Sequence, residues 1–384
     1  MSTQRLNGHV LTPDGFVSGA LLIDSLGRIA AVQGQACSEE HALASGGPIL
    51  LPGFVDLHVH GGGGRDTMEA GDAIAHIARL HARHGTTALL ATTMTAPLAE
   101  IETALAALGG SCRERPSGAA RVLGIHLEGP YIDPQRLGAQ PDFARAAQLD
   151  EILHLHTLAP IRLITLAPEQ PGHMGLIAPL CAAGFRVQIG HSNGRYEEGL
   201  AALMQGASGF THLFNAMSGL HHRAPGMVGA ALAHARHAEI IPDLLHVHPG
   251  AIRVALRAIP GLYCVTDSTA AAGMPDGDYR LGRHMVTKCL GGVRLADGTL
   301  AGSTLTMDQA LRNLVGLGLS LAEAARRTST LAADFIGATD RGRLQAGAWA
   351  DVVVLDAELR LQQVLIEGEA VEPSPASPTP AHRS

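Results

Sequence analysis

Between Gly53 and Asp267 the chain alternates short strand-like apolar runs with longer stretches of helical periodicity, and this pattern constrains the fold more than any other feature. The strand candidates are Gly53–His60, Thr87–Thr93, Val122–Gly129, Ile161–Pro168, Phe185–His191, Gly209–Phe214, Ile240–Val247 and Leu262–Asp267. Amphipathic stretches such as Ala73–His84, Ala96–Ala107, Gly175–Ala183 and Glu197–Gln205 lie between them. Eight strands separated by helical patterns predict an α/β protein, a (β/α)8 TIM-like barrel over residues 53–340. The alternative is an open doubly wound sheet, but no Gly-rich dinucleotide loop follows a strand directly. With 46 Gly and only 3% aromatic residues, the interior is one of Ala, Leu, Val and Ile punctuated by tight turns, which suits this class.

The two ends read differently. Short alternating runs such as Ala20–Ile23 and Arg28–Val32, broken by turn signals, precede the barrel pattern, and Asp351–Leu355 and Gln363–Ile366 follow it. Residues 1–52 and 341–370 are expected to combine into a small β-sandwich domain. Residues 371–384, rich in Pro, Ser and Thr, read as a disordered tail.

The cationic side chains number 28 against 35 acidic ones, a net charge of −7, and no basic run exists. That argues against nucleic-acid or anionic-membrane partners. Met1–His9 lacks a signal-peptide pattern, no apolar run is long enough to span a bilayer, and the five scattered cysteines contain no CxxC pair. A soluble cytoplasmic protein with reduced thiols is expected.

Barrel enzymes carry their chemistry at the C-terminal ends of the strands. Those ends read His58-Val59-His60, His126-Leu127-Glu128, His191-Ser192-Asn193, Thr211-His212-Leu213 and Thr266-Asp267-Ser268. His58 and His60 are two apart on a strand, so they share a face. A lone histidine there is ordinarily a hydrogen-bonded core residue. That reading gives way when Glu128, His191 and His212 stand at matching heights on other strands. Imidazole and carboxylate together suit a divalent zinc or iron ion, with a position left open for water. Asp267 then serves as the base that takes the proton of that water and returns it to the leaving group. Ser268 and Thr269 are expected to cap the next helix. His126 reads equally as support for the cluster or as a satisfied barrel histidine. The only lysine is Lys288, beyond the eighth strand, so a metal-bridging lysine after strand 4 is ruled out and Glu128 is left as the shared carboxylate.

At these residues the chain resembles the N-acetylglucosamine-6-phosphate deacetylases of the amidohydrolase superfamily. The resemblance runs through Leu51-Pro52-Gly53-Phe54-Val55-Asp56-Leu57-His58-Val59-His60-Gly61 and His126-Leu127-Glu128-Gly129-Pro130-Tyr131. It continues in Leu166-Ala167-Pro168-Glu169, Gly190-His191-Ser192-Asn193, Thr211 to Met217, and Val265 to Gly277. It implies that Glu128, His191 and His212 hold the principal metal, that His58 and His60 allow a second, and that Asp267 is the catalytic acid/base. It also implies a phosphorylated N-acetyl amino sugar as substrate, contacted by Ala139, Gln140, Asn215, Ala216, Arg223 and His246. Arg223 and His246 would grip phosphate, reaching into a neighbouring subunit's site in a homodimer. Gln140 departs from the pattern, standing where the family has a histidine that contacts the acyl carbonyl. The hydrolysis of the acetamide to acetate and glucosamine 6-phosphate is the expected activity. The alternatives are a deacylase of another amino-sugar phosphate, such as the galactosamine epimer, or a catalytically silent metal-binding barrel.

Overall fold

The structure, a computed structural model, describes residues 4–374. The tail expected over 371–384 therefore lies outside the described residues from 375 onward, as do residues 1–3. Eight parallel strands form one sheet: β1 (Phe54–Val59), β2 (Thr86–Thr92), β3 (Arg121–Glu128), β4 (Ile161–Leu166), β5 (Arg186–Ile189), β6 (Gly209–Phe210), β7 (His237–Ile240) and β8 (Gly261–Cys264). They pair in sequence order from β1 to β8. The chain just after β8 returns to β1, where the Asp267 N–H donates to the His58 carbonyl and the His60 N–H to that of Ser268, each at 2.9 Å. These bonds join the first strand to the last and close the barrel.

Each strand is followed by a helix. The first two show why the sequence folds this way. In Leu98–Arg113 the buried Ile101, Ala104, Leu105 and Leu108 fall at helical spacing on one face. In Ala73–Ala82 the buried Ile74, Ile77, Ala78 and His81 do the same. The strands, covered by helices outside and by their own side chains inside, are buried throughout in β1 and β2. Burial on both faces is what their uninterrupted apolar runs require.

One boundary differs. The seventh strand was expected over Ile240–Val247 but spans His237–Ile240. Pro242 has no N–H to give a ladder, and Asp243 turns the chain by accepting the Leu245 and His246 N–H groups at 2.9 and 2.8 Å.

The terminal segments form one seven-stranded sheet that includes Gln4–Thr12, Gly15–Ile23, Ile29–Ala36 and Ile49–Pro52 from one end and Val352–Leu355, Leu361–Ile366 and Glu369–Val371 from the other. Val10, Leu21, Ile29, Leu50, Val352 and Leu365 from six of these strands meet in a core of their own on this one, mostly antiparallel sheet. A partly buried ionic cluster also ties it to the barrel. Arg115 and Arg121 on the barrel side and Arg341 all donate to Glu367.

A second addition was not visible in the sequence. After β8, a three-stranded antiparallel sheet (Gly277–Leu281, His284–Cys289, Gly292–Arg294) is inserted before the final barrel helix, Met307–Gly316. Its Leu281 and Val286 pack with Met94 and Ala271 over the mouth of the barrel. Because this insertion separates Ser268 and Thr269 from the next helix, they cap nothing. The Ser268 hydroxyl instead donates to the Gly61 carbonyl at 3.1 Å, and Thr269 donates to that of Ser303 at 3.4 Å.

Candidate active site

The strand ends meet as alternation requires. Asp56, His58 and His60 point into the barrel from β1, and Glu128 closes β3. Two clusters share Glu128 between them. Its Oε1 lies 3.2 Å from His191 Nε2 and 3.0 Å from His212 Nε2, and those two nitrogens are 3.1 Å apart. Its Oε2 lies 3.1 Å from His60 Nε2 and 3.5 Å from His58 Nε2. Asp267 Oδ1 faces the same pair at 3.4 and 3.6 Å.

The donors suit a metal. Imidazole nitrogens packed this closely need their lone pairs aimed at a common point, and the partners of the far ring nitrogens favour that orientation. His191 Nδ1 donates to the Arg136 carbonyl at 2.7 Å, and His58 Nδ1 to Glu239 Oε2 at 3.0 Å, which leaves each Nε2 free as an acceptor. Glu128, His191 and His212 form one buried donor group within ligand reach, and His58, His60 and Asp267 form another. The carboxylates and histidines of the two groups also act on one another's ionisation. Burial opposes ionisation of Glu128, yet the surrounding histidines outweigh it and hold its carboxyl well below the usual range. Burial likewise lowers His58, but Glu128, Asp267 and Glu239 outweigh that and keep it well above an ordinary imidazole.

The backbone here is strained. His191, His212 and Asp267 have φ of 46°, 26° and 51°, a left-handed region that costs a non-glycine residue about 1–3 kcal/mol. Tertiary bonds hold it there: the Asp133 N–H donates to the His191 carbonyl at 2.9 Å, and the Ser303 N–H to that of Asp267 at 2.7 Å.

Above the clusters lies a cavity of about 230 Å³. His60, Glu128, His191, His212 and Asp267 line its floor, and Ala139, Gln140, Asn215, Ala216 and His246 its sides. His58 is fully buried beneath them. Leu281, Thr299, Leu300 and Gly302 of the insertion contribute to the wall. His246 lines this chain's cavity, where the turn at Asp243 places it. Its Nδ1 donates to Asp243 Oδ2 at 2.6 Å. Burial lowers its pKa, but Asp243 outweighs this, and the imidazole sits above its ordinary value. Arg223 is not brought to this cavity. It sits on an exposed turn and donates to His222 Nε2 at 2.8 Å.

Three residues of consequence escaped the sequence reading. Glu239, fully buried on β7, binds His58 and also accepts the His212 N–H at 3.1 Å, so one carboxylate orients both clusters. Its signal was a lone acid directly before the apolar pair Ile240-Ile241. Asp56 accepts the Thr266 hydroxyl at 2.6 Å and the His58 N–H at 3.3 Å. Burial, only partly offset by Thr266, pushes it up to about 7. It sits two before His58, and that spacing could have marked it. Met94, the third, lines the cavity wall and gave no sequence signal. His126 proves to be a satisfied barrel histidine, bonded to the Leu57 carbonyl at 3.2 Å and the Thr165 hydroxyl at 2.7 Å.

A closed (β/α)8 barrel with a histidine–carboxylate cluster at its C-terminal mouth defines a class of metal-dependent hydrolases, and residues 49–375 match the model of the amidohydrolase family. The chain belongs to that family. It is 41% identical over 334 residues to an N-acetylglucosamine-6-phosphate deacetylase of Lysinibacillus sphaericus, covering 85% of this chain and 86% of that one. It is also 41% identical over 372 residues to an N-acetylgalactosamine-6-phosphate deacetylase of Escherichia coli O157:H7, covering 94% and 97%. Among solved structures it superposes with a TM-score of 0.88 on a Mycobacterium smegmatis deacetylase variant in complex with N-acetyl-D-glucosamine 6-phosphate, at 34% identity over 96% of this chain and 99% of that one.

Proposed function

We propose that this chain is a metal-dependent deacetylase that hydrolyses N-acetylglucosamine 6-phosphate to glucosamine 6-phosphate and acetate. The observation that carries this reading is the convergence, in one cavity, of Glu128, His191 and His212 with Asp267, and of His246 at the side. Glu128, His191 and His212 would hold a divalent zinc or iron ion, and His58 with His60 a second. Such an ion supplies Lewis acidity, polarising a carbonyl and making water nucleophilic near neutral pH. Asp267 accepts the proton of the attacking water at Oδ1 or Oδ2 and returns it to the departing amide nitrogen. His246, fixed by Asp243 and with its pKa raised by that carboxylate, holds the sugar phosphate. The Asn215–Ala216 backbone and Ala139 flank the sugar. Arg223, on its exposed turn, would meet phosphate only in a partner's site, so the active species is a homodimer. The scattered cysteines fit a cytoplasmic setting, and no helix of the described residues is long and apolar enough to cross a membrane. We divide the chain into a terminal β domain (1–52 with 341–370) and the catalytic barrel (53–340).

Acetate release tests the reading. Metal-loaded protein should turn over N-acetylglucosamine 6-phosphate and leave the unphosphorylated sugar almost untouched. Metal-loaded protein inert on every N-acyl amino-sugar phosphate would sink it. The galactosamine epimer is the second substrate to assay, because the E. coli relative of equal identity acts on that sugar. Sedimentation at assay concentration checks the dimer.

A further inference from the structure

We propose that Gln140 is a positioning residue for Glu128, fixing the carboxylate that the two histidine clusters share. The inference rests on the reading of Glu128 as a metal ligand. Gln140 is only 5% exposed, so its amide must find partners within the protein. It finds two of opposite kind. Its Oε1 accepts the Thr95 backbone N–H at 2.7 Å, and its Nε2 donates to Glu128 Oε2 at 2.6 Å. A backbone N–H only donates and an ionised carboxylate only accepts, so the amide cannot flip without losing both bonds. The Gln140 N–H in turn donates to the Leu137 carbonyl at 2.9 Å, closing a tight turn through Gly138, whose φ is +57°. The side chain is therefore held by the loop that carries it and by the strand-2 exit at Thr95.

The consequence falls on Glu128. With Oε2 held by Gln140 on the side of His58 and His60, Oε1 stays turned toward His191 and His212, and the carboxylate keeps one oxygen for each cluster. A carboxylate in this position fixes where the principal ion sits, and hydrogen-bonded partners of a ligand commonly change metal affinity by about 10–100-fold when removed. Gln140 thus acts through Glu128 and not primarily on the acyl group. It differs here from the histidine that the resemblance implies in that an amide takes up no proton and so keeps its charge at any pH.

Co2+ is the probe. Chelator competition and visible absorption of Co2+-loaded protein would be compared for the wild type, Gln140→Leu and Gln140→His, with kcat and KM for the sugar phosphate. Gln140→Leu should release Co2+ about 10–100-fold more readily and alter its visible spectrum. Its kcat should fall with little change in KM. Gln140→His keeps an N–H for Glu128 and should recover most of the affinity. If Gln140→Leu does not fold, Gln140→Met carries the same readouts. A variant with unchanged Co2+ affinity and spectrum overturns the proposal. If its activity is nonetheless lost, Gln140 contacts substrate directly. A wild type that takes up no Co2+ overturns the metal site itself, and this inference with it.

Discussion

Asp267 and Glu239 are both acids among histidines, and their surroundings give them different work. Asp267 reaches the cavity and has strained backbone, as a group that must meet substrate would. Replacing it by Asn removes the proton acceptor while leaving size and the Glu128, His191 and His212 donors in place. Asp267→Asn should lower kcat by about 10²–10⁴-fold while the principal ion, read by elemental analysis, is retained. Near-normal turnover would remove Asp267 from the mechanism. Glu239 touches no solvent and serves the ligands. In Glu239→Gln the carbonyl can still accept the His212 N–H, but the charge opposite His58 is gone. Metal affinity should drop by about 10–100-fold in a chelator titration, and an unchanged dissociation constant would show that hydrogen bonding alone suffices.

At the scale of elements, the insertion after β8 depends on the chain's only lysine. Lys288, on the His284–Cys289 strand, donates to the carbonyls of Ala271 and Met274, the former at 3.3 Å and the latter at 2.5 Å. Those carbonyls belong to the turn that follows Asp267, so the ammonium clamps the insertion to the active-site rim. Half-burial lowers its pKa from the usual lysine value, with only Asp276 opposing. Lys288→Met keeps the stem and removes both bonds, at a cost of about 1–3 kcal/mol to the local structure. Limited proteolysis should then cut faster between residues 276 and 300, and KM should rise more than kcat falls. Equal cleavage rates in the two proteins would mean that the apolar contacts of Leu281 and Val286 hold the insertion unaided.

At the scale of the molecule, the terminal sheet meets the barrel through apolar residues such as Leu51, Val353 and Ile366 and through an ionic cluster at Glu367, and the cluster contributes to acid stability. Burial works against ionisation of Glu367, but Arg121 and Arg341 overcome it and hold its pKa at about 2, below the usual 4.5. A carboxyl whose folded pKa is depressed contributes stability that is fully present above the unfolded value and lost as pH falls. The loss here falls between about 4.5 and 2. The size follows from the shift and is on the order of 3 kcal/mol. Glu367→Gln should therefore be destabilised at pH 7, and the gap between variant and wild type should close as unfolding is measured toward pH 3. A constant gap over that range would place the effect in packing.

The parts of this protein that its sequence determined are those that depend on near neighbours along the chain. The alternation of apolar runs and amphipathic stretches specified the eight strands and the helices between them, because strand and helix periodicities are local. Strand alternation also put His58 with His60 on one face, and the strand ends marked Glu128, His191, His212 and Asp267. What only the tertiary structure decided were the partners that meet across the barrel. Glu239 reaches His58 across 181 positions and Gln140 reaches Thr95 across 45. The insertion of short, half-exposed strands carried too weak an apolar pattern to be read in advance. His246 was legible as a residue but not as a neighbour of Asp267, since a single turn at Asp243 decides which way it faces. A side chain's chemistry is written in its type, but its role is set by what the closed barrel places within hydrogen-bond reach, and burial makes those contacts obligatory.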